Sequence, residues 1–110
     1  MSEMSAEAKE QLQRLQMLDQ NAQQMAMQKQ QFQQQLFELE NALKEIKDAP
    51  QAFKIIGNIM VAADKESLRK DLEQKKELVD LRVKTFEKQE KQLREKVKQL
   101  QEDVLKNIKK

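Results

Sequence analysis

The chain contains one proline and one glycine, Pro50 and Gly57, and both lie near its middle. These two residue types interrupt helices and form turns, and an irregular globular fold needs many of them. The segments before Pro50 and after Gly57 contain neither, and 36% of the whole chain is charged. The sequence therefore predicts a mainly helical protein with long helices and one break.

The first segment, residues 5–49, carries apolar side chains that are spaced alternately three and four residues apart, with Lys29 as the one interruption. The apolar positions are Leu15, Leu18, Ala22, Met25, Phe32, Leu36, Leu39, Leu43 and Ile46. This heptad spacing predicts a coiled-coil helix whose narrow apolar seam packs against another helix. Twelve of the residues from Gln11 to Gln35 are Gln, so a low-complexity tract is the rival interpretation. The regular seam and the helix propensity of Gln favour the coiled coil.

The last segment, residues 65–110, has the same seven-residue repeat. Its repeat positions are Leu72, Val79, Phe86, Leu93 and Leu100, with companions Arg69, Lys76, Val83, Glu90, Val97 and Val104. Asp64 is a suitable N-cap, and Glu66 in the first turn complements the helix dipole. Because the two segments are nearly equal in length, we expect them to form a long antiparallel coiled-coil helical hairpin.

The middle segment, residues 51–63, is rich in β-branched residues and has Gly57-Asn58 at its centre. A two-residue type II′ turn there predicts one β-hairpin between the helices, with Ile56 opposite Ile59. Apolar residues would then cover both faces of the hairpin, with Lys54 as the only charge within the paired region. The alternative is a loop that folds back on its own coiled coil. We favour a hairpin that joins those of other subunits in a shared sheet or barrel, which would also cover its unpaired edges. The expected assembly residues are Phe53, Ile55, Ile56, Gly57, Ile59, Met60 and Val61.

Missing residue types narrow the possible functions. The chain has no His, Cys, Tyr or Trp, so the usual zinc, haem and iron–sulfur ligand sets are excluded, as is catalysis by an imidazole or a thiol. We therefore expect no enzyme activity, no metal site and no cofactor. The sequence has no run of about 20 apolar residues and no signal-peptide pattern in Met1–Glu10, and the absence of Cys is compatible with the cytoplasm.

The charge distribution argues against nucleic acid as a partner. Residues 1–49 hold five basic and eight acidic side chains, whereas residues 65–110 hold fifteen basic and ten acidic ones. In the basic segment lysines alternate with glutamates, as in Glu87–Lys91, which is typical of a solvated helix face. A nucleic-acid-binding surface usually has a one-sided basic patch with aromatic residues.

At this point the sequence resembles a known family, the β-type subunits of prefoldin. The most specific stretch is the hairpin Ala52–Val61, which reads AFKIIGNIMV, and the run Leu81–Glu90 is similar to the second helix of the family. Phe53 stands where family members often have Tyr. The α-type subunit carries two hairpins between its helices, and this chain has room for only one. The resemblance covers nearly the whole chain and implies one prefoldin-like unit over residues 1–110.

The resemblance implies an ATP-independent chaperone in the cytoplasm. Two α-type and four β-type subunits would form a hexamer in which the hairpins build a central β-barrel and six coiled coils hang from it. Non-native client proteins would be captured at the coiled-coil tips and passed to a group II chaperonin. In an antiparallel hairpin both termini lie at the tip, so the expected client-binding residues are Met1, Met4, Leu105 and Ile108. The bland alternative is that these residues are frayed helix ends without a role.

Two other classes of function stay open at this level. A structural coiled-coil tether or scaffold needs only the heptads, but it gives no reason for a hairpin that is apolar on both faces. A helix pair that binds a membrane surface or nucleic acid would depend on the basic second helix, and salt screens such weakly held surface charges over about 8 Å.

Overall fold

The computed structural model describes residues 5–109 and contains two long helices with two short strands between them. In chain order the elements are α1 (Ala6–Asp48), β1 (Ala52–Ile56), β2 (Ile59–Ala63) and α2 (Lys65–Lys109). The predicted fold class, mainly helical with one antiparallel β-hairpin between the helices, is confirmed. No helix within residues 5–109 is both long enough and apolar enough to span a bilayer.

Both helices begin at side chains that accept hydrogen bonds from the first turn. The Ser5 hydroxyl accepts the N–H of Ala8 at 3.1 Å, and the Asp64 carboxylate accepts the N–H of Ser67 at 3.0 Å. These contacts satisfy backbone donors that have no partner within the helix. Helix α1 ends just before Ala49 and Pro50, because a residue that precedes proline is disfavoured in the helical region.

The chain separates into two compact units. The terminal unit consists of Met1–Lys29 and Thr85–Lys110, of which the structure describes residues 5–29 and 85–109. The hairpin unit is Gln30–Lys84 and contains both strands. The expectation of one prefoldin-like unit over residues 1–110 is not decided by this division and stays a prediction.

In the hairpin unit the predicted seam forms the interface between the helices. Ile46 and Val83 are buried, and the other apolar seam positions are half-buried. These half-buried residues are Phe32, Leu36, Leu39, Leu43, Leu72 and Val79. The polar companions Arg69 and Lys76 are half-buried as well, so they belong to the same helix face despite their charge.

In the terminal unit the seam continues closer to the N-terminus than the sequence predicted. Ala8, Leu100 and Val104 are buried, and Gln11 is half-buried. The amide of Asn107 donates a hydrogen bond of 2.7 Å to the side-chain oxygen of Gln11. This contact joins the start of α1 to the end of α2, so the two helices run antiparallel within this unit.

Candidate functional site

The tip of the β-hairpin is a two-residue turn at Gly57 and Asn58. Gly57 has a φ of 61°, and no residue other than glycine has a positive φ in the described part of the chain. A positive φ at the first central residue alone is the pattern of a type II′ turn. The two-residue turn also fixes the register, since Ile56 pairs with Ile59 and Lys54 with Val61.

The pairing distributes side chains over two faces of the hairpin. Because cross-strand partners share a face and neighbours along a strand alternate, Phe53, Ile55 and Met60 lie on one face together with Ala62. All four of these side chains are exposed. This first face is thus wholly apolar and is uncovered within its own chain.

The second face is apolar apart from Lys54, and part of it is shielded. Its members are Ala52, Lys54, Ile56, Ile59, Val61 and Ala63. Val61 is half-buried beside a groove whose walls include Ser67 and Leu68 at the start of α2, whereas Ile56 and Ile59 near the turn are exposed. The predicted hairpin with apolar residues on both faces is therefore present, and the alternative of a loop packed on its own coiled coil is wrong for the part near the turn.

The exposure of this hairpin is unusual for a chain that works alone. Phe53, Ile55, Ile56, Ile59 and Met60 are between 51% and 72% exposed. Monomeric proteins rarely leave such a contiguous apolar surface uncovered, and two isolated strands are marginally stable in water. Each strand also has one edge without a neighbouring strand, because the sheet has two strands in the order β1-β2. This arrangement is suited to binding further strands from other chains.

A polar cluster holds the start of α2 directly after β2. The backbone N–H and the hydroxyl of Ser67 both donate to the Asp64 carboxylate, and they hold the pKa of Asp64 below its ordinary value. The Arg69 guanidinium donates to Glu66 at 2.6 Å, which lowers the pKa of Glu66 and raises that of Arg69. The predicted N-cap at Asp64 is present, and it stabilises the connection between β2 and the first turn of α2.

The candidate client-binding residues lie only partly within the described structure. Met1 and Met4 are outside the described residues. Leu105 and Ile108 are 54% and 42% exposed near the end of α2, in the unit that also contains the start of α1. They are thus available for contact, and their role in client binding stays a prediction.

Some exposed apolar side chains were not anticipated. Leu78 and Leu81 on α2 and Phe37 on α1 lie outside the seam of the hairpin unit and are exposed. A groove of about 520 Å³ in this unit is lined by the following residues: Gln35, Glu38, Leu39, Ala42, Lys75, Leu78, Val79 and Arg82. In the sequence, Leu78 lies one residue before the repeat position Val79, and Leu81 lies two residues after it. A count of heptad positions alone does not include either residue.

A charged pair inside the seam of the terminal unit was also not anticipated. The Lys29 Nζ lies 2.7 Å from the Glu90 Oε1, and the two side chains are 24% and 20% exposed. In the sequence, Lys29 is the interruption in the first seam and Glu90 is a polar companion position in the second, and their spacing does not show that they form a pair. Their opposite charges were the signal that could have paired them.

Within residues 5–109, no three acidic side chains are grouped closely enough to hold a metal ion. The acidic residues with lowered pKa, Asp64 and Glu66, are engaged by Ser67 and Arg69 at the helix start. The features that remain as candidates are surfaces for protein contact: the hairpin and the exposed end of α2.

The sequence is similar to those of a known protein family and its members. Residues 9–110 match the family described as "Prefoldin subunit". The chain is 35% identical to prefoldin subunit beta of Sulfurisphaera tokodaii over 101 residues, which cover 89% of this chain and 81% of that protein. It is 34% identical to prefoldin subunit beta of Methanothrix thermoacetophila over 109 residues, covering 96% and 91%.

The fold was compared with solved structures. It is similar to the crystal structure of the prefoldin beta subunit from Thermococcus strain KS-1, with a TM-score of 0.89 and 31% sequence identity. The similarity covers 94% of each chain. Sequence and fold therefore lead to the same group of proteins.

Proposed function

The chain belongs to the prefoldin subunit family, and from this membership we propose that it is a β-type subunit of a chaperone that holds non-native proteins without using ATP. The observation that carries the proposal is the single hairpin, with exposed apolar residues on both faces, between two coiled-coil helices. One hairpin, instead of two, supports the β type. The role is one of binding and does not involve catalysis or a cofactor.

We propose that the hairpin assembles with those of other subunits. Two α-type and four β-type subunits form a hexamer whose hairpins close into a β-barrel. The unpaired edges of β1 and β2 support this part of the proposal, because closure into a barrel removes strand edges. The assembly residues are Phe53, Ile55, Ile56, Gly57, Ile59, Met60 and Val61, and the exposed ones among them become buried against neighbouring strands.

Clients bind at the coiled-coil tips in this proposal. Leu105 and Ile108 supply exposed aliphatic contacts from α2, and Met1 and Met4, outside the described residues, supply thioether side chains. Apolar contacts of this kind suit a partner that exposes its own apolar surface, and they place little demand on its sequence. The complex then delivers the client to a group II chaperonin in the cytoplasm.

A light-scattering assay tests the holding function. The chain is co-expressed with an α-type prefoldin subunit, and a denatured model protein is diluted into buffer with the purified complex and without nucleotide. We expect the complex to suppress aggregation of the model protein, and we expect added ATP to leave this suppression unchanged. An equal concentration of an unrelated coiled-coil protein is the control. Aggregation at the level of this control would instead favour a structural tether.

A further inference from the structure

The seam of the terminal unit contains a charged pair where apolar residues would pack. Lys29 and Glu90 contact each other across the two helices at 2.7 Å, and each side chain is about three-quarters buried. The ion pairs that the structure describes elsewhere within residues 5–109 join residues three or four apart on α2 itself. The Lys29–Glu90 pair differs from them because it joins α1 to α2.

Stability alone does not explain this pair. Removing two charges from water is costly, and replacing a buried ion pair with well-packed apolar residues is often neutral or stabilising. A polar residue in a coiled-coil seam instead selects the partner helix and the register, because pairing with another helix or in another register would leave a buried polar group without a partner. The Lys29–Glu90 contact is therefore better explained by the helix pairings that it disfavours.

The charges that normally select a coiled-coil partner are missing from α1 near Lys29. In a heptad, the positions that flank the seam carry charges that form pairs with the other helix. Around Lys29 these flanking positions are Ala26, Gln28, Gln33 and Gln35, and all are uncharged. Over this stretch α1 therefore has an apolar seam without charged residues beside it. No charge repulsion at the flanking positions would prevent such a helix from pairing with a second copy of itself.

We propose that Lys29 and Glu90 specify the pairing of α1 with α2 and disfavour the pairing of like helices from two copies. If two α1 helices paired in parallel, the Lys29 side chains of both copies would face each other in the seam. Two paired α2 helices would likewise bring together two Glu90 carboxylates. Like charges in a half-buried seam repel, whereas the α1–α2 pairing matches each charge with its opposite. The need for such selection is greatest wherever several copies of the chain come together.

The test follows a thiol placed in the α1 seam of the full-length chain. Met25 is a half-buried seam residue, and the chain has no native Cys, so Met25→Cys supplies the sole thiol. In a parallel pair of α1 helices two such thiols meet and form a disulfide in a glutathione redox buffer. In the α1–α2 pairing each is shielded within its own chain. Gln20→Cys, on the exposed side of α1, reports random collisions as the control.

Three backgrounds are compared: the natural sequence, K29L/E90L, which makes the seam apolar, and K29E/E90K, which reverses the pair. We expect the Met25→Cys disulfide dimer to increase several-fold in K29L/E90L and to stay at the natural level in K29E/E90K. The melting temperature of K29L/E90L should be equal or higher. An unchanged amount of dimer in K29L/E90L would overturn the proposal. So would an equal rise with Gln20→Cys, or a melting temperature several degrees lower, because the pair would then serve stability.

Discussion

The Lys65 ammonium donates a hydrogen bond of 3.0 Å to the backbone carbonyl of Lys47. Lys47 lies in the last turn of α1 and Lys65 is the first residue of α2, so this contact joins the two ends between which the hairpin is held. The last carbonyls of a helix have no partner within it, and a cation near them is also favoured by the helix dipole. The contact therefore closes the base of the hairpin.

Lys65→Met should weaken this closure while preserving the apolar stem of the side chain. We expect the free energy of unfolding to fall by about 0.5–1.5 kcal/mol, which is typical of one hydrogen bond. Thermal unfolding followed by circular dichroism measures the change. Lys98→Met, at an exposed position on the same helix, is the matched control. An equal effect of both substitutions would mean that the contact with Lys47 contributes nothing specific.

Asp64→Ala should lower the melting temperature near neutral pH, because it removes the acceptor for the N–H and the hydroxyl of Ser67. The native pKa of Asp64 is lowered from its ordinary value of 3.8, so its contribution is present above that pH. It is lost as the pH falls through the lower native value. The difference in melting temperature between the natural protein and the variant should therefore shrink in strong acid.

The matched control for the acid experiment is Asp71→Ala, which removes an exposed carboxylate further along α2. This variant should stay close to the natural protein near neutral pH. If the effect of Asp64→Ala were the same in strong acid as near neutral pH, the stabilisation would not depend on the ionised carboxylate.

Ile59→Asp should dissociate the oligomer and leave the two helices folded. Ile59 is exposed in the isolated chain but would be buried among neighbouring strands in a barrel, where an unpaired carboxylate costs several kcal/mol. Sedimentation velocity measures the assembly, and the helical signal in circular dichroism measures the fold. Ile59→Val controls for side-chain size, and Gln20→Asp adds the same charge on α1. A mutant complex that sediments like the natural one would remove the hairpin from the assembly interface.

Leu105→Ser combined with Ile108→Ser should weaken suppression of aggregation without changing the assembled particle. Both side chains are substantially exposed, so they contribute little to folding. Under the proposed function several tips would hold one client at once, which would amplify a loss at each tip. Deletion of residues 105–110 should have the same effect or a larger one. Light scattering from a denatured model protein measures the change, with Lys106→Ser as the neighbouring control.

Salt separates the two ways in which these tips could hold a client. Apolar contacts at Leu105 and Ile108 predict suppression that changes little with ionic strength. A strong decrease with salt would instead assign the binding to Lys106, Lys109 and Lys110. Equal protection by the natural and the Leu105/Ile108 variant complexes, with the particle intact, would place the client site elsewhere.

The sequence was sufficient to predict the helix faces and the hairpin, because both depend on spacing within one segment. All the apolar seam residues predicted for α1 are half-buried or buried, including Leu15 and Ile46. The turn at Gly57 also set the strand register, since a two-residue loop leaves one way to pair Ile56 with Ile59. These features are local, so the sequence of a single chain is sufficient to predict them.

The contacts between helices were less predictable. A heptad identifies the face that is buried but not which residue of one helix meets which residue of the other. For this reason Lys29 and Glu90 could be recognised in the sequence only as separate interruptions of the two seams. Their contact is seen only in the structure. Exposed residues outside the seam, such as Leu78, follow no repeat and were missed. The proposed client contacts of Leu105 depend on a partner that a single chain does not contain.

We propose that the exposed hairpin makes this chain the β-type subunit of a hetero-oligomer. The decisive measurement is native mass spectrometry of the chain co-expressed with an α-type prefoldin subunit. We expect one dominant species with four copies of this 13.0 kDa chain and two of the α-type subunit. We also expect Ile59→Asp to abolish this species. Separate peaks for the free subunits, or an unchanged hexamer with Ile59→Asp, would contradict assembly through the hairpin.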